Sequence, residues 1–282
     1  MSNRKNMVDE GFECISVIFR LADKDMYNAV YTDFQKKVAK TFASYSNHDA
    51  VEYAKKLPLG YDAVFRFAVH LKKEGGKFVF IDDIGSLYDF NRWNEKSAAE
   101  FLPLFNAFYT DAKYGEFFIA NTPLFEEVSE KFFAEVYSKV NLEWFSKYAN
   151  PSNMRCIYAF SSRCSYAATV NDKFVYCAVG YDGTETTIVH EYCHHFANPI
   201  AEDWYENNPQ FKKWCDDSVD REKMPYYGSG LPMAYEYVTR ACETLYMVHQ
   251  GMNLAEKLAR LRDSEREPFP YIENVYEMVL KL

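Results

Sequence analysis

The sequence predicts an α+β fold, mainly helical, with a small antiparallel sheet placed just before a helix that carries His190-Glu191-Tyr192-Cys193-His194. Three observations predict it. Over most of the first 150 residues, apolar side chains recur at intervals of three and four, the helical period. After Asn150-Pro151 the texture changes to short β-branched and aromatic runs bounded by turn residues. From Thr184 onward the helical period returns. Helices, then strands, then helices, segregated along the chain, define α+β rather than an alternating α/β fold.

Taken in order, Cys14, Ile15, Val17, Ile18, Phe19 and Leu21 give a first helix a broad apolar face. Residues 31–45 repeat the pattern through Phe34, Val38, Phe42 and Tyr45. Asn47 is positioned to cap a helix over 48–57. Residues 61–71 continue through Val64, Phe65, Ala68 and Leu71, and Gly75-Gly76 ends that run. Longer helices are expected over 95–112 and 123–140. Three strands follow, at 154–161, 165–170 and 173–180, with Asn171-Asp172 as the turn between the last two and Asp182-Gly183 closing the sheet. A helix opens near Thr184 or Glu185, carries the motif, and is expected to stop at Asn198-Pro199, because the residue before proline avoids the helical region. Further helices are expected over 209–216, 232–250, 254–262 and 271–282. Residues 1–150 thus read as a helical scaffold region and 151–282 as the region bearing the chemistry, in one continuous domain.

Composition narrows the function classes. A net charge of −9 without a local basic patch argues against a nucleic-acid partner. No stretch approaches the roughly 18 apolar residues of a membrane span, and the N-terminal MSNRKNMVDEGFE lacks the apolar core of a signal peptide. The expected location is therefore cytoplasmic, or exported where a leader has been removed. Seven cysteines without a C-x-x-C pair indicate reduced, buried thiols rather than a zinc knuckle or redox motif. The 23 Tyr and 23 Phe fit an aromatic core better than a ring-lined groove.

His190 and His194 are four residues apart, so on a helix they project from one face about one turn apart. Two imidazole nitrogens so placed can reach one metal ion at about 2.0–2.1 Å. Glu191, directly after the first histidine, is placed to take a proton from a zinc-bound water and pass it to the leaving group. One protein ligand is missing. A metzincin needs glycine and histidine where this chain has Ala197 and Ile200; a short-spaced gluzincin needs glutamate where it has Lys213 and Trp214. The best remaining candidate is Glu236, with Arg240 one turn later to orient its carboxylate and Glu243 as runner-up; Glu202, Asp203 and Glu206 are weaker. Tyr227 heads the candidates for an oxyanion donor, with Tyr226 and Tyr235 beside it.

His190-Glu191-Tyr192-Cys193-His194-His195-Phe196-Ala197-Asn198-Pro199, together with Glu236-Tyr237-Val238-Thr239-Arg240-Ala241, resembles a bacterial domain-of-unknown-function family regarded as gluzincin-type HExxH zinc metallopeptidases. The segments Cys14 to Ala22, Tyr61 to Val64 and Ala68 to Leu71 look similar as well. The resemblance implies Zn2+ held by His190, His194 and Glu236, Glu191 as the base, and a peptide or protein substrate of unassigned identity. Two alternatives stay open: a deformylase-like amide hydrolase taking Cys156, Cys164 or Cys177 as third ligand, and a non-catalytic zinc-containing binding protein. His195, rotated about 100° from the ligands, is expected to bond a loop. Cys193 is expected to be a buried thiol, and His48 and His70 to be structural. Residues 173–180, if an exposed edge, offer a peptide an added-strand register.

Overall fold

Asp9 starts the first helix: its carboxylate accepts the Phe12 backbone N–H at 2.7 Å, satisfying one of the donors a helix start leaves free. The helix that follows, α1 (Glu10–Leu21), is buried from Gly11 to Phe19. Its two buried polar side chains are satisfied within the fold: Ser16 Oγ donates to Phe12 O at 2.8 Å, and Glu13 accepts the Ser161 N–H at 3.2 Å. A helix apolar on every side belongs at the centre of its unit. The computed structural model describes residues 7–28, 32–57, 62–163, 165–171, 173–224 and 227–282, and 64% of the chain is helical. The α+β, mainly helical class follows.

Two compact units divide the chain, Met1–Ile188 and Val189–Leu282. In the first, α1 is surrounded by α2 (Asp25–Asn28), α3 (Asp33–Phe42), α4 (Asp49–Lys56) and α5 (Ala63–Val69). The capping residue of α4 is His48 rather than Asn47: its Nδ1 accepts the Ala50 N–H at 3.1 Å. The run at 61–71 is shorter than its apolar pattern suggests. After Val69 the chain turns into a hairpin, β1 (Leu71–Glu74) and β2 (Lys77–Phe80), paired antiparallel from Leu71↔Phe80 to Glu74↔Lys77. Gly75 and Gly76, at φ +57° and +84°, form the two-residue turn, a conformation that costs L side chains dearly and glycine little.

Next come α6 (Glu95–Asp111), capped by Asn94 and Ser97 reciprocally, then α7 (Tyr114–Ala120) and α8 (Thr122–Glu135). Strands β3 (Met154–Ala159), β4 (Tyr166–Val170) and β5 (Phe174–Gly180) form a sheet in the order β3-β5-β4. The sheet is mixed, not wholly antiparallel. A tight turn through Asn171, at φ +55°, makes β4 and β5 an antiparallel pair, whereas β3 meets the far edge of β5 in parallel register, Met154↔Val175 to Ala159↔Gly180. Strand β5 is therefore central and paired on both sides. The edge at 173–180 expected to accept a peptide does not exist, because its backbone groups are already used. The expected positions Tyr31, Tyr61, Cys164, Asp172 and Tyr226 lie outside the described residues.

Many aromatic side chains of this unit are core. Phe67 lies 4.6 Å from Trp93 and 5.1 Å from Phe101, Phe78 lies 5.0 Å from Phe105, and Phe132 stacks on Tyr158 at 4.3 Å, joining α8 to β3. His70 is buried between the Arg66 carbonyl at 2.7 Å and Ser86 Oγ at 2.8 Å, a structural role.

Glu13 is a buried carboxyl whose pKa burial pushes up to about 7, against the lowering effect of the Ser161 hydrogen bonds. The unfolded chain ionises this group near 4.5, so the folded state holds the proton over a wider range. Its contribution is full below pH 4.5 and is lost as pH rises through 7, by roughly 3 kcal/mol over that window. Glu13→Gln is expected to flatten the stability profile between pH 4.5 and 7 in denaturant titrations. An unchanged slope would show that Glu13 is not the group titrating.

Helix α9 (Glu185–Asn207) starts four residues after β5 and continues into the second unit, followed by α10 (Pro209–Asp217), α11 (Gly230–His249), α12 (Leu254–Arg262) and α13 (Ile272–Val279). Asn198-Pro199 does not end α9: Pro199 lies inside it. A mid-helix proline removes one backbone bond and disfavours the helical conformation of the residue before it. The buried side chains of Ala197 and Ala201, either side of it, add the burial that carries the helix through. Helix α11 is the core of this unit. Tyr237, fully buried, sits edge-on to Phe269 at 5.1 Å and shares a 2.7 Å hydrogen bond with Ser218.

Candidate metal centre

Residues four apart on α9 and three, four and seven apart on α11 build the site. On α9, His190 and His194 share one face, their rings edge-on with centroids 4.8 Å apart, while Tyr192 and Cys193 are buried. On α11, Glu236, Thr239, Arg240 and Glu243 fall along one stripe. Pro232 lies in the first turn of α11, where a missing N–H leaves no intrahelical bond unmade.

The histidines face each other through Nε2, 3.2 Å apart. Glu236 spans the pair, with Oε2 at 3.5 Å from His190 Nε2 and Oε1 at 3.6 Å from His194 Nε2. Three donor atoms on a tetrahedral zinc, each about 2.0–2.2 Å from the ion, lie about 3.3–3.6 Å from one another. The two nitrogens have that spacing, each carboxylate oxygen has it to one of them, and one donor atom from each residue lies within 4.8 Å of the others. Glu236 Oε2 is buried and makes no hydrogen bond; Arg240 Nε, at 3.6 Å, faces it without bonding it, so this oxygen keeps its lone pairs for a further partner.

The outward nitrogens are occupied. His190 Nδ1 donates to Glu243 Oε2 at 3.1 Å, and His194 Nδ1 donates to Asn198 Oδ1 at 2.9 Å with Thr239 Oγ1 at 3.0 Å. These partners fix the tautomer with the proton on Nδ1, leaving both Nε2 lone pairs aimed at the same point. Two imidazole nitrogens and one carboxylate make a donor set that fits Zn2+. Among the described residues, the group that could hold a metal ion is His190, His194 and Glu236.

Charge balance agrees. Burial works against the His190 cation, but Glu236 and the Glu243 hydrogen bond outweigh it and raise its pKa. His194 goes the other way, down to about 4, through burial and then the neighbouring His190 charge. Burial raises Glu236, yet His190, His194 and Arg240 outweigh it and hold its carboxyl below the ordinary value.

Glu191 is buried, at 8% exposure, directly after the first histidine. Tyr227 has its pKa raised well above that of a free phenol by burial, with Glu236 and Glu267 nearby. It is therefore protonated at neutral pH. Tyr235 instead donates to Glu202, and Glu202, Asp203 and Glu206 are exposed, apart from the cluster. Cys193 is a buried thiol. Arg240 lies 3.6 Å from Glu236 Oε2 and 3.0 Å from Glu267 Oε2.

Sequence reasoning missed several contributors. Asn198 and Thr239 were within its reach, since each lies one turn from a site residue, at i+4 from His194 and i+3 from Glu236. Lys257 and Glu267 carry no such signal; only the packing of the C-terminal segment brings them in. Comparison with protein-family models, with curated proteins and with solved structures found no match.

Proposed function

We propose that the protein is a zinc-dependent metallopeptidase of gluzincin type, with His190, His194 and Glu236 as ligands. The observation that carries the reading is the convergence of two Nε2 atoms 3.2 Å apart with the Glu236 carboxylate, one oxygen 3.5 Å from His190 and the other 3.6 Å from His194, with both Nδ1 atoms tied off. Bound there, zinc supplies Lewis acidity, lowering the pKa of a water and polarising a substrate carbonyl. Glu191 accepts the proton of the attacking water and returns it to the leaving amine nitrogen. Tyr227, kept protonated, donates its O–H to the oxygen that gains charge as the peptide carbon becomes tetrahedral. Arg240 stands between Glu236, at 3.6 Å, and Glu267, at 3.0 Å, and steadies the ligand carboxylate.

The test is digestion of a proteome-derived peptide library by the zinc-loaded protein, read by mass spectrometry. New peptide termini are expected that disappear on chelation and return with zinc. No cleavage by a protein shown to hold one zinc would overturn the peptidase reading and leave a metal-binding role.

A further inference from the structure

Lys257 and Glu243 form a chain of contacts that ends on the metal ligand His190. Glu243 is 1% exposed, and its two oxygens have separate partners: Oε1 accepts from Lys257 Nζ at 2.5 Å, and Oε2 accepts from His190 Nδ1 at 3.1 Å. Arg240 Nη1 stands 3.9 Å from Oε2 on the third side. A buried carboxylate without a cation would be expensive, and Lys257 from α12, in direct contact, is the cation its Oε1 meets. With Oε1 on Lys257, Oε2 meets His190 at Nδ1, the side away from the facing Nε2 atoms.

Resting on the zinc reading above, we propose that Glu243 is a positioning residue and not a ligand, and that Lys257 is its anchor. The pair Lys257–Glu243 fixes the proton of His190 on Nδ1, sets the ring plane, and raises the donor strength of Nε2 toward the metal. Helix α12 thereby contributes to the metal centre without touching the ion. Partners of this kind are worth about 10–100-fold in metal affinity.

The experiment is a zinc competition titration against a chromophoric chelator on the full chain, with folding checked by circular dichroism. Glu243→Ala is expected to keep one zinc per chain and bind it about 10–100-fold more weakly. Glu243→Gln, whose amide oxygen still accepts from Nδ1, recovers part of that loss. Lys257→Met weakens binding several-fold in the wild-type background and has no effect in the Glu243→Gln background, a non-additivity that general destabilisation would not produce. Where Glu243→Ala fails to fold, Lys257→Met decides alone. Wild-type zinc binding with Lys257→Met and Glu243→Ala unchanged overturns the positioning role and leaves the zinc site intact. Zinc uptake abolished in both Glu243 variants but retained in Glu236→Ala makes Glu243 the ligand and overturns the proposal. No uptake by the wild type removes the zinc reading and this inference together.

Discussion

Zinc-loaded Glu191→Gln is expected to keep its metal and lose peptide hydrolysis by a factor of about 10²–10⁴, the usual share of a positioned general base. Glutamine matches glutamate in shape, so the buried position next to His190 is still filled and the two histidines stay on their shared face of α9. What changes is that an amide cannot accept the water's proton. Parallel assays of zinc content and turnover separate the outcomes. Retained zinc with lost turnover assigns Glu191 as base. Loss of both makes it a ligand, and unchanged turnover gives the base role to another group.

Glu236→Ala is expected to have the largest effect on metal binding, beyond the hundredfold that marks the loss of a supporting partner. The variant removes the carboxylate that spans both Nε2 atoms and leaves two nitrogens, too few for a tight site. Its fold should survive, because Arg240 retains Glu267 at 3.0 Å and Glu243 at 3.9 Å. The consequence is visible in thermal unfolding. Zinc at about a thousand times its dissociation constant stabilises the native wild type by about 4 kcal/mol, and the variant should show almost none of that shift.

The helices were legible where the 3.6-residue period was clean, as in α6, α10 and α12, whose ends agree with the pattern within a residue or two. The spacing of His190 and His194 made half the site readable, since a helix alone dictates that they share a face. Glu236 sits with them through tertiary packing that a single helix cannot encode; candidates were narrowed by elimination and resemblance. The hairpin at Gly75-Gly76 was encoded locally and overlooked in favour of the helical run before it. Pro199 broke a local rule because burial outweighed one lost hydrogen bond. The central place of β5 and the arrival of Lys257 at Glu243 depend on contacts distant in sequence, for which periodicity has no signal.

The central claim is a three-residue zinc site, and elemental analysis tests it most directly, on wild type and Glu236→Ala purified without added metal and again after reconstitution. One zinc per chain in the wild type, largely lost in the variant, is the predicted result. Wild-type protein that takes up no zinc even after reconstitution would contradict it, and the His190, His194 and Glu236 triangle would then be a buried polar cluster and nothing more.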